Sequence, residues 1–161
     1  MRKQSYGRIV MTTSAAGLFG NLGQTNYANA TKRGVLGLMR ALKIQGKKRN
    51  IRVNAVSPIA DTRMGAKVFP DFFKAMIQPE LVAAAVTYLA SEACTASGDI
   101  LVTAAGYFAK VQLMEGEGVA FAADAIELAQ DVRERGEALR YCTPIRQDTA
   151  GDDEHWRSGT L

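Results

Sequence analysis

Short apolar runs and stretches with helical spacing alternate along the first half of the chain. Ile9-Val-Met11 is an apolar run between Gly7 and a Thr/Ser cluster, which predicts a buried strand. From Tyr27 to about Arg49 the apolar positions recur at i, i+3, i+4 and i+7, which predicts a helix with one buried face: Val35, Leu38, Met39 and Leu42. Asn50 breaks that pattern, and Ile51–Ser57 then reads as a second strand stopped by Pro58. Strand, helix and strand together indicate a parallel crossover unit.

The same alternation continues beyond Pro58. A loop through Met64 leads into an apolar-aromatic segment, Val68–Ile77, and Pro79 opens a helix that runs to Ser91. Asp99–Ala104 predicts a third strand, and Ala122–Ala138 is helical by composition. The expected class is α/β, with about three strands in a mainly parallel sheet and crossover helices. We expect one partial domain over residues 1–140 and a polar, unstructured tail over 141–161.

Composition narrows the class of protein. The chain has 161 residues, of which 47% are hydrophobic and 22% charged, and a net charge of +4. Much of the positive charge lies at a predicted helix end, where cations complement the helix dipole: Lys43, Lys47, Lys48 and Arg49. Aromatics interleaved with these cations, or a reading motif, would indicate nucleic-acid binding, and the sequence has neither. We expect no nucleic-acid partner.

The cysteines and the lengths of the apolar runs indicate the cellular compartment in which the protein is expected. Cys94 and Cys142 have neither metal-ligand spacing nor a thiol-redox motif, so we expect no metal site and reduced, incidental thiols. No apolar run approaches the ~18 residues of a membrane span, and the first residues lack a secretion signal. The prediction is a protein of the cytoplasm or of an organelle matrix, without a membrane partner.

Tyr27 is the best candidate for proton chemistry. It lies thirteen positions after Ser14, which follows the first predicted strand, and five positions before Lys32. A phenol with a nearby ammonium and a hydroxyl across a loop can act as an acid and base, because the cation favours the phenolate. The one histidine, His155, lies in the polar tail. An isolated Ser and Tyr at this spacing are mostly coincidence. The assignment of a catalytic role to Ser14 and Tyr27 therefore depends on the surrounding motifs.

Those motifs occur in a specific order: Gly7-Arg-Ile-Val-Met-Thr-Thr-Ser14, Gly17-Leu-Phe-Gly-Asn-Leu-Gly-Gln-Thr-Asn-Tyr27, Gly34-Val-Leu-Gly-Leu-Met39, Asn50-Ile-Arg-Val-Asn-Ala-Val-Ser-Pro58 and Thr62-Arg-Met64. Over residues 5 to 115 the chain resembles the C-terminal two-thirds of a short-chain dehydrogenase/reductase. It resembles in particular the 3-hydroxyacyl-CoA dehydrogenase domains of peroxisomal multifunctional β-oxidation enzymes and their bacterial relatives. The implied fold is part of a Rossmann-like doubly wound sheet.

The resemblance implies a reaction and roles for residues. The implied reaction is NAD- or NADP-dependent hydride transfer to or from a secondary alcohol or ketone, such as a 3-hydroxyacyl thioester. Tyr27 would be the general acid/base, Ser14 would orient the substrate oxygen, and Lys32 would hold the nicotinamide ribose. Pro58, Ile59 and Thr62 would contact the nicotinamide carboxamide and the pyrophosphate; a strand-ending proline with an N-cap threonine is the structural alternative. Relatives associate through the tyrosine-bearing helix, which implies a homo-oligomer through Tyr27–Arg49.

One spacing departs from the family. The family has lysine four residues after the tyrosine, whereas this chain has Thr31 there and Lys32 one residue later. On a regular α-helix the extra residue rotates the lysine by about 100° away from the tyrosine face. A π-bulge near Asn29–Thr31 would absorb the extra residue and restore the pairing. Otherwise the tyrosine loses its activating cation.

The sequence also lacks a recognisable dinucleotide-binding half. Gly17-x-x-Gly20-x-x-Gly23 departs from the dinucleotide fingerprint, and the resemblance places it along the substrate pocket. We therefore expect either a fragment or a half-protein that needs a partner, inactive as an isolated chain. The alternative is a catalytically inactive oligomerisation module derived from the same family, which a displaced Lys32 would fit.

Overall fold

The computed structural model describes residues 1–22, 25–64, 69–116 and 144–147 of the chain. It divides into two compact units, Met1–Val111 and Gln112–Leu161, which are described separately. The first unit contains every candidate site residue. Its elements are β1 (Gly7–Thr12), α1 (Ala15–Phe19), a π-helix (Thr25–Ala30), α2 (Thr31–Gly46), a 3₁₀-helix (Lys47–Arg49), β2 (Ile51–Ile59), α3 (Asp71–Lys74), α4 (Pro79–Ala90), β3 (Ile100–Ala104) and β4 (Tyr107–Val111).

A four-stranded sheet of order β1-β2-β3-β4 organises the first unit. β1 pairs in parallel with β2, from Gly7 opposite Ile51 to Thr12 opposite Val56. β2 and β3 are also parallel, and β4 returns antiparallel to β3. The predicted α/β class with three parallel strands is therefore confirmed.

Both faces of the sheet are covered by apolar side chains. On one face α2 packs its Leu36 and Met39 against Val53 and Ala55 of β2. On the other face Leu89 of α4 packs with Val56. Alternate residues of each parallel strand thus enter opposite cores, as expected for a sheet with helices on both sides.

The buried face of α2 differs from the prediction. Leu36 is fully buried, whereas Leu38, assigned to the buried face from the sequence, is 54% exposed. Gly34 and Gly37 were expected to permit a close approach, but a Cβ atom at either position would meet no described atom within 4 Å. The helix is rotated so that these three residues lie on its outer side. The predicted face was wrong at Leu38 and right at Met39.

Pro58 does not end β2, which continues to Ile59. The amide of Thr13 donates to the carbonyl of Val56, so the backbone groups of Val56, and two residues later of Pro58, point toward the β1 side. β1 has already ended there. The missing N–H of Pro58 therefore costs the sheet no ladder hydrogen bond.

A hairpin after β3 was not predicted. Ala105 and Gly106 have φ values of +50° and +76° between β3 and β4, as in a two-residue turn of the primed type. The alternation of apolar and polar residues in β4 is weak in the sequence, because Tyr107 is exposed and the strand is short. In the second unit, Met114–Gly116 pairs antiparallel with Pro144–Gln147 as β5 and β6. The predicted helix over 122–138 lies outside the described residues, and the predicted domain limits remain predictions.

Candidate active site at the carboxyl edge of the sheet

Ser14 lies directly beyond the carboxyl end of β1 and begins α1. Its extended backbone makes it the N-cap, and its Oγ accepts a hydrogen bond of 3.3 Å from the amide of Ala16. The hydroxyl proton is not used in that contact, because Oγ acts as the acceptor. Ser14 is half-buried. It can therefore cap the helix and still donate a hydrogen bond.

Lys32 lies in the first turn of α2, beside the same end of β1. Its Nζ donates to the carbonyl of Thr12 at 3.2 Å, and its own carbonyl accepts from Oγ1 of Thr13 at 2.8 Å. Gly17 of α1 packs so closely that a Cβ atom there would lie 2.7 Å from the Lys32 carbonyl carbon. These contacts hold Lys32 against both β1 and the segment that begins at Ser14.

A π-helix precedes α2. It spans Thr25–Ala30, contains the backbone of Tyr27, and ends where the regular helix begins at Thr31. A π-helix has more residues per turn than an α-helix and so accommodates an extra residue. Of the two alternatives that the sequence left open, the structure has the π distortion, over a stretch that overlaps the Asn29–Thr31 position considered. The side chain of Tyr27 lies outside what the structure describes, so its pairing with Lys32 remains a prediction.

Pro58, Ile59 and Thr62 follow the carboxyl end of β2. Pro58 and Ile59 are half-buried, and Thr62 is exposed in the loop beyond the strand. The amide of Asp61 donates to the carbonyl of Ile77 at 2.7 Å, which anchors this loop to the segment before α4. The carboxyl ends of parallel strands share one edge of a sheet, so these residues lie at the same edge as Ser14 and Lys32.

The segments that follow the carboxyl ends of β1 and β2 carry exposed apolar side chains. Leu22 is 99% exposed after α1, and Met64 is 80% exposed after β2. Phe72 of α3, exposed to 75%, belongs to the same segment between β2 and α4. Such side chains near a polar site suit a ligand with an apolar portion.

The sequence did not single out three buried polar residues that shape this edge. Thr13 anchors Lys32, but nothing in its local sequence distinguishes it from Thr12. The hydroxyls of Ser57 and Thr103 are buried without a hydrogen-bond partner among the described residues. Both occur near carboxyl strand ends, and that position in a parallel strand was the available signal. Cys94 is a free, buried thiol, and Cys142 lies outside the described residues.

Comparison with known proteins agrees with this architecture. The profile of the short chain dehydrogenase family matches residues 1–71. A short-chain type dehydrogenase/reductase of Mycobacterium tuberculosis is 43% identical over 134 residues, covering 83% of this chain and 46% of that protein. The mouse peroxisomal multifunctional enzyme type 2 is 44% identical over 112 residues, covering 70% of this chain and 15% of the enzyme.

Solved structures give the same result. The full-length peroxisomal multifunctional enzyme type 2 of Drosophila melanogaster superposes with a TM-score of 0.73 at 32% identity, covering 85% of this chain and 25% of the enzyme. Over the part it shares with these proteins, the chain is similar in sequence and fold to the short-chain dehydrogenase/reductase family. It spans less than half the length of these relatives.

Within residues 1–22, 25–64, 69–116 and 144–147, no helix is long and apolar enough to cross a bilayer. The same ranges contain no cluster of three or more His, Cys, Asp or Glu side chains suited to a metal ion.

Proposed function

We propose that this chain forms the substrate and proton-transfer half of an NAD- or NADP-dependent oxidoreductase that acts on a secondary alcohol or ketone. The observation that carries the proposal is the location of Ser14 and Lys32 at the carboxyl end of β1, with the backbone of Tyr27 in the adjoining π-helix. These three residue types are the ones that the family resemblance assigns to catalysis.

Each residue has a chemical role in this proposal. Ser14 donates its free hydroxyl proton to the substrate oxygen and orients it. Tyr27 exchanges a proton with that oxygen, and the ammonium of Lys32 favours its phenolate form. Lys32 uses one N–H for Thr12, which leaves two donors for ribose hydroxyls. The nicotinamide, when bound, supplies the hydride chemistry.

The residues at this edge fit a dinucleotide's nicotinamide end. Pro58 and Ile59 are half-buried at a strand end, with an anchored loop behind them. The buried hydroxyl of Ser57, which has no hydrogen-bond partner among the described residues, lies at the same strand end and leaves a polar atom for a further contact. The sequence has no recognisable motif that would bind the adenosine end of the dinucleotide. We therefore propose that the remaining part of a family domain supplies the adenosine-binding residues.

The substrate class that we propose is a 3-hydroxyacyl or 3-oxoacyl thioester. Two observations support it: the exposed apolar side chains in the segments that follow β1 and β2, and relatives named as peroxisomal multifunctional enzymes. An acyl chain would cover apolar surface that is otherwise exposed to water. A location in the cytoplasm or in an organelle matrix remains our expectation.

The test is reconstitution with the missing half. The chain is fused, in frame, behind the part of the M. tuberculosis relative that it does not match, and acyl-thioester oxidation is followed by dinucleotide absorbance. We expect turnover in the fusion and none in the isolated chain. Tyr27→Phe should lower kcat by about 100-fold or more, while Tyr6→Phe, remote in the turn before β1, should leave it unchanged. A fusion that binds dinucleotide but responds equally to both substitutions would refute the assignment of Tyr27.

A further inference from the structure

Two arginine side chains lie next to each other at the amino edge of the sheet, where its parallel strands begin. Arg8 and Arg52 are the second residues of β1 and β2 and are partners in the parallel register. Side chains alternate between the faces of a strand, so both arginines lie on the same face as Val10 and Val56, the α4 side. Along β2, Arg52 lies roughly 20 Å from Pro58, so the pair is remote from the candidate active site.

Both guanidinium groups are held by the segment that follows α4. Nε of Arg8 donates to the carbonyl of Ser91 at 3.1 Å, and Nη1 of Arg52 donates to the carbonyl of Thr95 at 2.6 Å. The Arg8 guanidinium also lies over the ring of Tyr6, 4.5 Å from its centroid. A guanidinium has five N–H donors, and these contacts use only part of them. Both groups are therefore fixed in position and retain donors for a further acceptor.

The charge of this pair has no neighbouring carboxylate among the described residues. The ion pairs formed there lie elsewhere, between Lys74 and Asp71 and between Lys110 and Asp99. Nε of Arg52 is buried and has no hydrogen-bond partner in the described part of the chain. Two adjacent like charges, one of them partly removed from water, cost free energy unless a counter-charge offsets them. A bound anion would supply that counter-charge.

The surroundings of the pair are also basic. Residues 1–111 contain 15 lysines and arginines but only 5 aspartates and glutamates. The 3₁₀-helix Lys47–Arg49 ends directly before β2. The side chain of Lys43 reaches the amino end of β3, since a Cβ atom at Gly98 would lie 2.8 Å from its Nζ. Such a concentration of positive charge raises the local concentration of anions at this edge.

We propose that Arg8 and Arg52 form a binding site for the phosphate group of a small molecule, at the edge of the sheet opposite to the candidate active site. Charge matching favours phosphate over a carboxylate, because a phosphate group carries about 1.5 to 2 negative charges at neutral pH and faces two cations. Its oxygens can accept from two planar guanidinium groups at once. The anion should stabilise the fold, because only the folded state brings the two arginines together.

Titration of the full chain with inorganic phosphate tests the site, with sodium chloride at equal ionic strength as the reference for screening. Phosphate should raise the urea midpoint and shift the Nε–H NMR signals of Arg8 and Arg52 to saturation, with little change at Arg49. Acetate, which has one charge, should bind at least tenfold more weakly. Glycerol 3-phosphate should bind as inorganic phosphate does, because the site recognises the phosphate group. Equal effects of phosphate, acetate and chloride would overturn the proposal, since they would show screening alone.

Two variants separate a defined site from a diffuse basic surface. Arg52→Lys keeps the charge but removes the planar fork, and should weaken phosphate binding by about tenfold. Arg49→Gln removes one charge from an exposed neighbour and should weaken it by less than about twofold. Equal losses in the two variants would overturn the site. If Arg52→Lys does not fold by circular dichroism, the NMR titration of the unsubstituted chain decides, and Arg8 and Arg52 signals that do not move would overturn the proposal.

Discussion

Gly17 is a point of close approach between α1 and α2. An added Cβ atom would lie 2.7 Å from the carbonyl carbon of Lys32, a backbone atom that cannot move aside. We expect Gly17→Ala to lower the free energy of unfolding by about 1–3 kcal/mol. Gly34→Ala is the matched control, since its Cβ atom meets open space and the helix gains up to about 1 kcal/mol from the better propensity of alanine. Urea denaturation of both variants should give opposite signs; equal effects would contradict the close contact.

Asp71 and Lys74 form an exposed ion pair with an Oδ1–Nζ distance of 2.8 Å in α3. The hydrogen bond from Lys74 holds the pKa of the Asp71 carboxyl below its usual 3.8. A carboxyl with a lowered pKa in the folded state stabilises it above the unfolded pKa, and the contribution is lost as pH falls through the folded value. An NMR titration should place the Asp71 midpoint below 3.8, and Lys74→Met should return it toward that value. A midpoint that ignores this substitution would show that the pair does not persist in solution.

The elements that the sequence predicted are those with a strong local pattern. The three parallel strands, the proline-initiated α4 and the end of the α2 region at Asn50 all follow from apolar runs and breaking residues. The rotation of α2 was not predictable, because Leu36 and Leu38 are both apolar and only packing against β2 distinguishes them. The β3–β4 hairpin was missed because its exposed aromatic residues obscure the alternation. The candidate residues Ser14 and Lys32 followed from the sequence motifs and their spacing. The contact between Lys32 and Thr12 could not be predicted in this way, because it depends on tertiary structure.

α2 has an outer face of small and apolar residues. Gly34, Gly37 and Ala41 are exposed there, and Leu38 and Ile44 are 54% and 45% exposed. Small residues let a second helix approach closely, so we expect two copies of the chain to associate through this face. Leu38→Glu should therefore shift sedimentation toward the monomer. It should change the free energy of unfolding by no more than about 0.5 kcal/mol.

Two further variants separate association from stability. Leu36→Ala, which truncates a fully buried side chain, should cost about 2–5 kcal/mol and leave the association constant unchanged in the folded fraction. Lys48→Glu also adds a carboxylate, at an exposed site beyond the end of α2, and lowers the net charge by two, whereas Leu38→Glu lowers it by one. If Lys48→Glu dissociates the oligomer as strongly as Leu38→Glu does, net charge rather than the α2 face governs association.

At the scale of the whole molecule, the first unit is expected to fold without the second. β4 is the last strand of its sheet. The last residue of β4, Val111, pairs with Ile100, the first residue of β3. The unit boundary falls directly after Val111. A chain that ends at Val111 should therefore keep a cooperative urea transition with the midpoint of the full chain. A chain that ends at Ala105 loses β4 and the ion pair between Lys110 and Asp99, whose Nζ and Oδ1 are 2.8 Å apart.

Removing β4 leaves the five residues of β3 paired with β2 alone. Each cross-strand pair contributes roughly 0.2–1 kcal/mol, so the shorter chain should lose about 1–5 kcal/mol of stability and expose a second open edge of the sheet. Aggregation measured by light scattering should therefore increase for the chain ending at Ala105 and not for the chain ending at Val111. If both truncations unfold with the same loss, the second unit stabilises the first, and the boundary at Val111 does not mark an independent folding unit. The same series shows whether the β1 edge, which has no second partner strand among the described residues, is alone sufficient for aggregation. The chain ending at Val111 keeps that edge, and its β3 is covered by β4.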